Sequence, residues 1–193
     1  MLVGRTRLAA DLVPLGLRPG TVALVHCRMS ALGRVIGGAE TVIRALIDAV
    51  GPEGTLFAYV GWQDGPPDDL ELLAPGDREL VRAEQPVYDP AVGRARRDHG
   101  RVAEAIRTRP AVVHSGHPEA GVAALGHAAA DVALPYDPIA GGVDYVEHFA
   151  RAALERGAGR SGPLGAGTGH VFDARGLTEA TVELIEATFG AGG

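Results

Sequence analysis

The chain predicts an α/β fold, a mixed sheet flanked by helices, and three stretches predict it. Val22 to Val25 is a short apolar run bounded by Pro19-Gly20 and by polar residues, which reads as a buried strand. Ala39, Val42, Ile43, Leu46, Ile47 and Val50 recur at spacings of three and four, so they line one face of a helix. Thr55 to Val60 is a second strand. Strand, helix and strand in that order imply a crossover between parallel neighbours.

Composition bounds the function. The 193 residues suit a single domain with a sizeable core. A formal net charge of −6 argues against a nucleic-acid partner and suits a polycationic one. Every basic residue in the Lys+Arg count is Arg, which removes lysine-based covalent chemistry. The single Cys excludes an internal disulfide and a cysteine zinc site. No pair of histidines has a helical metal spacing, so no metal is expected. No apolar run reaches membrane-spanning length and no signal peptide is expected. The expectation is a cytoplasmic protein, monomer or homodimer, with no membrane partner.

Each element follows in order. Thr6 to about Leu15 reads as a short helix with Leu8, Leu12 and Leu15 inward, its end blurred by Pro14. After the first strand, His26, Arg28 and Ser30 leave its carboxyl end, where open α/β sheets bind ligands. Gly37-Gly38 then lets backbone approach a ligand, and the helix behind it offers free N–H groups and a partial positive charge. The same glycines could merely turn the chain. Neither a G-x-G-x-x-G fingerprint nor a P-loop is present. Glu40 and Arg44 pair one turn apart, and Gly51-Pro52 stops the helix.

Gly61 to Asp69 holds the only Trp, Trp62, with Asp64, Asp68 and Asp69, and its Pro and Gly content forbids regular structure. Carboxylates beside a flat aromatic face suit a polyamine or aminosugar; a solvated loop with Trp62 in the core is the plainer alternative. A short helix is expected around Arg78 to Ala83, and a turn at Tyr88-Asp89-Pro90. Arg94, Arg96 and Arg97 read as a solvated cluster or as contacts to cofactor phosphates. A helix from Gly100 to Thr108 should bury Val102, Ala105 and Ile106. Strands follow from Ala111 and from Gly121 to Gly126, then a small helix from His127 to Ala133.

His117 is the candidate general base, with Ser115 to bond it and Glu119 to orient the ring; a structural histidine bonded to loop backbone is the alternative. Leu134 to Gly142 reads as a linker, and Asp144 to about Arg156 as a helix stopped by Gly157. Arg156 to Gly169 reads as a flexible glycine-rich surface loop, with a strand at His170 to Phe172. Thr178 should cap the last helix, with Val182, Ile185 and Phe189 inward, before a frayed end.

The block Val25-His26-Cys27-Arg28-Met29-Ser30-Ala31-Leu32-Gly33, Gly37-Gly38-Ala39-Glu40-Thr41-Val42-Ile43 and Val50-Gly51-Pro52-Glu53-Gly54-Thr55-Leu56 resembles the aminoglycoside 3-N-acetyltransferase family. So do Tyr59-Val60-Gly61-Trp62, Tyr88-Asp89-Pro90-Ala91, Ser115-Gly116-His117-Pro118, Gly159-Arg160-Ser161-Gly162 and Phe172-Asp173. The resemblance implies that family's mixed α/β fold, which is not the GNAT fold. It implies acetyl transfer from acetyl-CoA to the 3-amino group of an aminoglycoside, directly, in a ternary complex. It places CoA along His26, Cys27, Arg28, Met29, Ser30, Ala31, Gly33, Val35, Ile36, Gly37 and Gly38. It places the acceptor among Tyr59, Trp62, Asp64, Asp68 and Glu119. The Ser-x-His-Pro segment is a site wall in that pattern, not the base.

The likeness breaks after about Gly142. The family's Thr-x-x-His-x-x-Glu element, which carries its catalytic His, has no counterpart here. A segment left out of the numbering, a deletion, or a replacement base such as His117 would each account for the break. Two other functions therefore stand beside the transferase. One is a CoA- or ligand-binding remnant without the base, and the other a hydrolase using Ser30 and His117, for which no Gly-x-Ser-x-Gly elbow exists.

Overall fold

The computed structural model describes residues 1–132, 151 and 153–189. The elements through the crossover are β1 (Leu2–Val3), α1 (Arg5–Leu12), β2 (Val22–Leu24), β3 (Arg34–Val35), α2 (Ala39–Val50) and β4 (Thr55–Tyr59). After it come α3 (Pro75–Glu84), α4 (Gly100–Arg107), β5 (Val113–His114), β6 (Val122–Gly126), α5 (Ala129–Val132), β7 (Gly159–Leu164), β8 (Gly167–Phe172) and α6 (Ala174–Phe189). They form two compact units.

One unit holds Gly20–Met29 and 52–132. Its sheet has the order β2-β4-β6-β5. β2 runs parallel to β4, with Ala23 opposite Leu56, as the crossover predicts. β6 runs antiparallel to β4 with Phe57 opposite Ala124, and β5 antiparallel to β6. The sheet is therefore mixed. α4 packs on β4 and β6, and Leu56, Ala58, Val102, Ile106 and Ala123 are buried. Ala103, not Ala105, shares the inward face of α4. Thr55 is fully buried, and its Oγ1 accepts the Ala128 amide at 2.8 Å, which ties the start of α5 to the sheet.

β2 departs from the buried strand expected. Val22 and Leu24 are 48% and 45% exposed. β2 lies at the sheet edge with one hydrogen-bonded neighbour among the described residues, so its side chains lack a flanking strand on the far side. An apolar run reports strand propensity, not a place in the middle of a sheet. α3 begins at Pro75, three residues before the expected start, because Pro presets the first-turn φ and loses no needed donor there.

The other unit holds Met1–Pro19, Ser30–Gly51 and the described part of 151–189. α1 packs on α2 through buried Leu8, Leu12, Val42, Ile43 and Leu46. Ala45 is buried where Ile47 was expected, and Ile47 is 36% exposed. The Arg44 guanidinium donates to Glu40 at 2.6 Å. Gly51 closes α2 at φ +66 with its N–H on the Ile47 carbonyl, a conformation that suits glycine. α1 stops at Leu12 rather than near Leu15, since Pro14 has no N–H with which to continue the ladder.

The glycine-rich stretch is the largest correction. It is an antiparallel hairpin, β7 on β8, and not a flexible loop. Gly162 and Gly169 face each other across it, and a Cβ on either would come within 3.1 Å and 3.0 Å of the Leu15 side chain. The glycines thus make a flat surface on which a leucine from the chain's start lies. The turn is anchored by the Gly165 amide on Asp11 and by the Ala166 amide on the Leu32 carbonyl, both at 2.9 Å. Gly157 stops the preceding helical residues as expected, with φ +71 and its amide on the Leu154 carbonyl.

α6 begins at Ala174. Asp173 caps it by accepting the Gly176 amide, while Thr178 sits inside the helix and donates back to the Ala174 carbonyl. Ala180 is buried, while Val182, expected inward, is exposed. The expected linker, the family break near 141–143 and the frayed end lie outside the described residues.

Candidate functional site

The expected acceptor residues all belong to the sheet-bearing unit. Tyr59 ends β4, 38% exposed, with its ring 6.4 Å from that of His99. The chain then turns at Gly61, and Trp62 packs at 5.4 Å and 45° against Tyr88. Gly93 lies beside both rings, where a Cβ would meet Tyr88 at 2.9 Å and Trp62 at 3.2 Å. Trp62 is therefore half of an aromatic pair at a strand end. Tyr88 is partly buried, and that burial raises its phenol above the ordinary range.

The acid-rich loop is not an open cluster of carboxylates. Asp64 receives Arg94 through Nη2 at 2.8 Å and Nε at 3.3 Å. Asp68 receives Arg96 through both terminal nitrogens, at 3.0 and 3.2 Å, and Arg96 also reaches Asp98 at 3.3 Å. Hydrogen bonding to Arg96 holds Asp68 below the usual carboxylate range. Two of the three arginines read as solvated or phosphate-facing thus have partners inside the loop pair. Backbone contacts reinforce the strap. The Gln63 amide donates to the Arg94 carbonyl at 2.9 Å, the Arg97 amide to the Gln63 side chain at 2.8 Å, and the Gln85 side chain to the Asp64 carbonyl at 2.9 Å. The near-equal run of Asp at 64–69 and Arg at 94–97 was the available signal for this pairing.

His117 stands near Trp62, whose amide bonds the Pro118 carbonyl. Its Nδ1 accepts the amides of Ala120 at 2.9 Å and Glu119 at 3.2 Å. Two donors at Nδ1 occupy that nitrogen's lone pair and favour the neutral tautomer with its proton on Nε2. The expected side-chain partners do other things. Ser115 is buried, and its Oγ accepts the Val122 amide at 2.8 Å. Glu119 holds the ring through its backbone, and its carboxylate is exposed.

The expected cofactor residues run along one continuous segment. His26 and Arg28 are exposed and Cys27 half-buried, in the sheet-bearing unit. A Cβ on Gly100, at the start of α4, would come within 3.0 Å of the Cys27 carbonyl, so the chain passes closely over that helix end. Burial pushes the Cys27 thiol up to about 11, which argues against it as a nucleophile. Met29–Leu32 form a 3-10 turn, in which Ser30 and Ala31 are exposed.

In the helical unit, Gly33, Val35, Ile36, Gly37 and Gly38 lead into α2. The Ile36 amide bonds the Val3 carbonyl at 2.9 Å, and the Ile36 side chain is 58% exposed. Gly37 and Gly38 have φ +76 and +64. A Cβ on Gly38 would meet nothing within 4 Å. The Gly38 carbonyl takes the Thr41 and Val42 amides, which leaves the Ala39 amide before them without a helical acceptor. The start of α2 thus lies behind an open glycine. Among the described residues no group of three or more His, Cys, Asp or Glu could hold a metal ion, and no helix is long and apolar enough to cross a membrane.

Residues 24–138 match the aminoglycoside 3-N-acetyltransferase family. The chain is 53% identical over 127 residues to an aminoglycoside N(3)-acetyltransferase VIII of Streptomyces fradiae, covering 66% of this chain and 44% of the relative. It is 47% identical over 131 residues to an aminoglycoside N(3)-acetyltransferase IX of Micromonospora chalcea, covering 67% and 46%. The chain thus matches less than half the length of these curated relatives. Its fold is similar to the crystal structure of aminoglycoside acetyltransferase AAC(3)-Xa, with a TM-score of 0.85, 30% identity, and 96% and 93% of the two chains covered. It is similar to AAC-IIIb in a binary complex with CoASH, with a TM-score of 0.82, 28% identity, and 98% of each chain covered.

Proposed function

Because this chain belongs to the aminoglycoside 3-N-acetyltransferase family, we propose that it binds acetyl-CoA and transfers the acetyl group to the 3-amino group of an aminoglycoside. The observation that carries the reading is the family match itself. It runs over the segment that leaves β2, the glycine pair and the Trp62 loop together. The CoASH complex of the 28%-identical neighbour supports CoA as the cosubstrate.

The residues suggest these roles. The Ala39 amide and the positive end of α2, behind Gly37-Gly38, take the CoA pyrophosphate, as helix starts take anions. His26, Arg28, Met29, Ser30, Ala31, Val35 and Ile36 line the path of the pantetheine arm, with Gly33 turning the chain. Donors along that path would stabilise the thioester oxygen as it gathers charge. Tyr59 and the Trp62 face receive the aminoglycoside rings, and Glu119 offers an exposed carboxylate to an ammonium group. Asp64 and Asp68 act chiefly by holding the loop through Arg94 and Arg96. His117 serves as wall and donor. The acceptor ammonium must lose a proton before it attacks the thioester. With Nδ1 already held by the Glu119 and Ala120 amides, His117 is not assigned that step.

The test is thiol release. Purified protein, acetyl-CoA and a panel of aminoglycosides are mixed, and free CoA is followed with a thiol reagent. Release that requires the amine, with an N-acetylated product of the right mass, supports direct transfer. A CoA-dependent rise in melting temperature without turnover makes the protein a binder. Release without any amine makes it a hydrolase.

A further inference from the structure

The Trp62 loop has no regular structure of its own, so something outside it must set its place. Its immediate support is the 93–97 segment. The Gln63 amide bonds the Arg94 carbonyl, the Arg96 amide is shared by the Val60 and Gly61 carbonyls at 3.1 Å, and Trp62 forms an isolated bridge with Ala95. That segment is irregular too. Its own anchor lies one layer deeper, on α4.

Arg107 is only 7% exposed and lies in the last turn of α4. Its Nε and Nη2 donate to the two oxygens of Glu104, one turn earlier, at 2.8 and 2.9 Å. Its Nη1 points at the Pro90 and Ala91 carbonyls at 3.4 and 3.5 Å. The Glu104 oxygen that takes Nε also accepts the Ala95 amide at 2.8 Å. One ion pair therefore grips 90–91 from the cation and 95 from the anion. Between those two grips sit Gly93, against which Trp62 and Tyr88 close, and Arg94, which pairs with Asp64.

We propose that Glu104 and Arg107 are positioning residues for the acceptor side: their pair clamps residues 90–95 to α4 and thereby fixes the Trp62–Tyr88 ring pair. The Arg107 charge is felt at the Tyr88 phenol, but its hydrogen bonds go to Glu104 and to the 90–91 carbonyls. Any effect on transfer passes through the segment they hold, and that part of the inference rests on the proposed function. The geometry is stringent. The guanidinium fork serves the carboxylate with two nitrogens and the carbonyls with the third, which a lysine cannot do. The Arg107 hydrogen bonds also hold Glu104 below the usual carboxylate range, against the opposing effect of its partial burial.

The experiment uses the single Trp as its reporter. Acrylamide quenching of Trp62 emission is measured in Glu104→Gln, Arg107→Lys and Arg107→Met, with Arg101→Ala, exposed on the same helix, as the control. The KM values for aminoglycoside and for acetyl-CoA are read on the same samples, with far-UV circular dichroism to select folded protein. Quenching should rise several-fold in both Arg107 variants and less in Glu104→Gln, which keeps an oxygen for the Ala95 amide. Aminoglycoside KM should rise in step, while acetyl-CoA KM stays put. A purely structural pair would lower the melting temperature and leave quenching and the KM split alone, which would overturn the proposal; so would full rescue by Arg107→Lys. If Arg107→Met does not fold, Glu104→Gln decides by the same criteria. If the unaltered protein transfers no acetyl group, the proposed function falls, and Trp62 quenching alone judges the clamp.

Discussion

Two glycine-rich stretches use the same residue for opposite ends. At Gly37-Gly38 the backbone has positive φ, and the space beyond Gly38 is empty. Along Gly159 to Gly169 the backbone is an ordinary hairpin, and the space beside Gly162 and Gly169 is filled by Leu15. The first stretch leaves open space beside the backbone. The second makes room for the protein itself. Glycine content signals both, and only what surrounds each residue tells them apart.

The comparison breaks if the open glycine proves structural. Gly38→Trp should abolish the melting-temperature rise produced by CoA, a loss of at least about tenfold in affinity, or roughly 1.4 kcal/mol. Gly38→Ala shares the backbone strain, about 1–3 kcal/mol at so sparsely populated a φ and ψ, but little of the bulk, so it should keep measurable protection. Unchanged protection in the Trp variant, measured by scanning fluorimetry, would remove the cofactor from this helix start.

The crowded glycines should respond the other way. Gly169→Val forces branched bulk against Leu15 and Leu164 and should cost about 1–3 kcal/mol of stability, as overpacking does, with CoA protection intact in the folded fraction. Denaturant midpoints check this. A neutral substitution would mean the hairpin stands off Leu15, closer to the loop that its composition suggests.

Within the proposed cofactor segment, Cys27 is half-buried where Gly38 is open. Its thiol is raised to about 11 by burial, so it stays protonated at pH 8. Iodoacetamide should alkylate it slowly there, with the rate climbing about tenfold per pH unit toward 11, where an unburied thiol would level off near the ordinary 8.5. The sign for stability agrees. The unfolded thiol ionises first, so the contribution of its burial is full below the unfolded value and is lost as pH rises through the folded one. A reaction plateau near pH 9, read by mass spectrometry of the alkylated protein, would place Cys27 in water.

A smaller change sharpens the contrast between helix start and helix surface. Arg44→Ala removes an exposed pair with Glu40 and should shift stability by only about 0.3–0.5 kcal/mol. A larger shift in the denaturant midpoint would mean that the first turn of α2 relies on that pair and not on its packing.

The parts of the fold legible from residues alone were the periodic and the punctuated ones. α2 appeared at Ala39–Val50 because its apolar spacing, the glycines before it and Gly51-Pro52 after it agree. β2 and β4 pair in parallel because a helix must carry the chain back between them. What failed was burial and partnership. Val22 and Leu24 read as buried, yet an edge position leaves them exposed. Asp64 and Asp68 carried no sign that Arg94 and Arg96, about thirty residues along the chain, would pair with them. Glu104 and Arg107 read as ordinary helix residues, since nothing local shows that loop carbonyls and an amide converge on them.

The sequence by itself determined the crossover, the place of the glycine pair at the start of α2 and the family, because each depends on neighbours within a few residues or on a linear pattern. Tertiary structure alone decided which charges are already paired, which glycines are open or crowded and which amides hold the His117 ring. Those are properties of atoms brought together from distant positions, and a carboxylate or an imidazole has no chemical role until the groups around it are fixed.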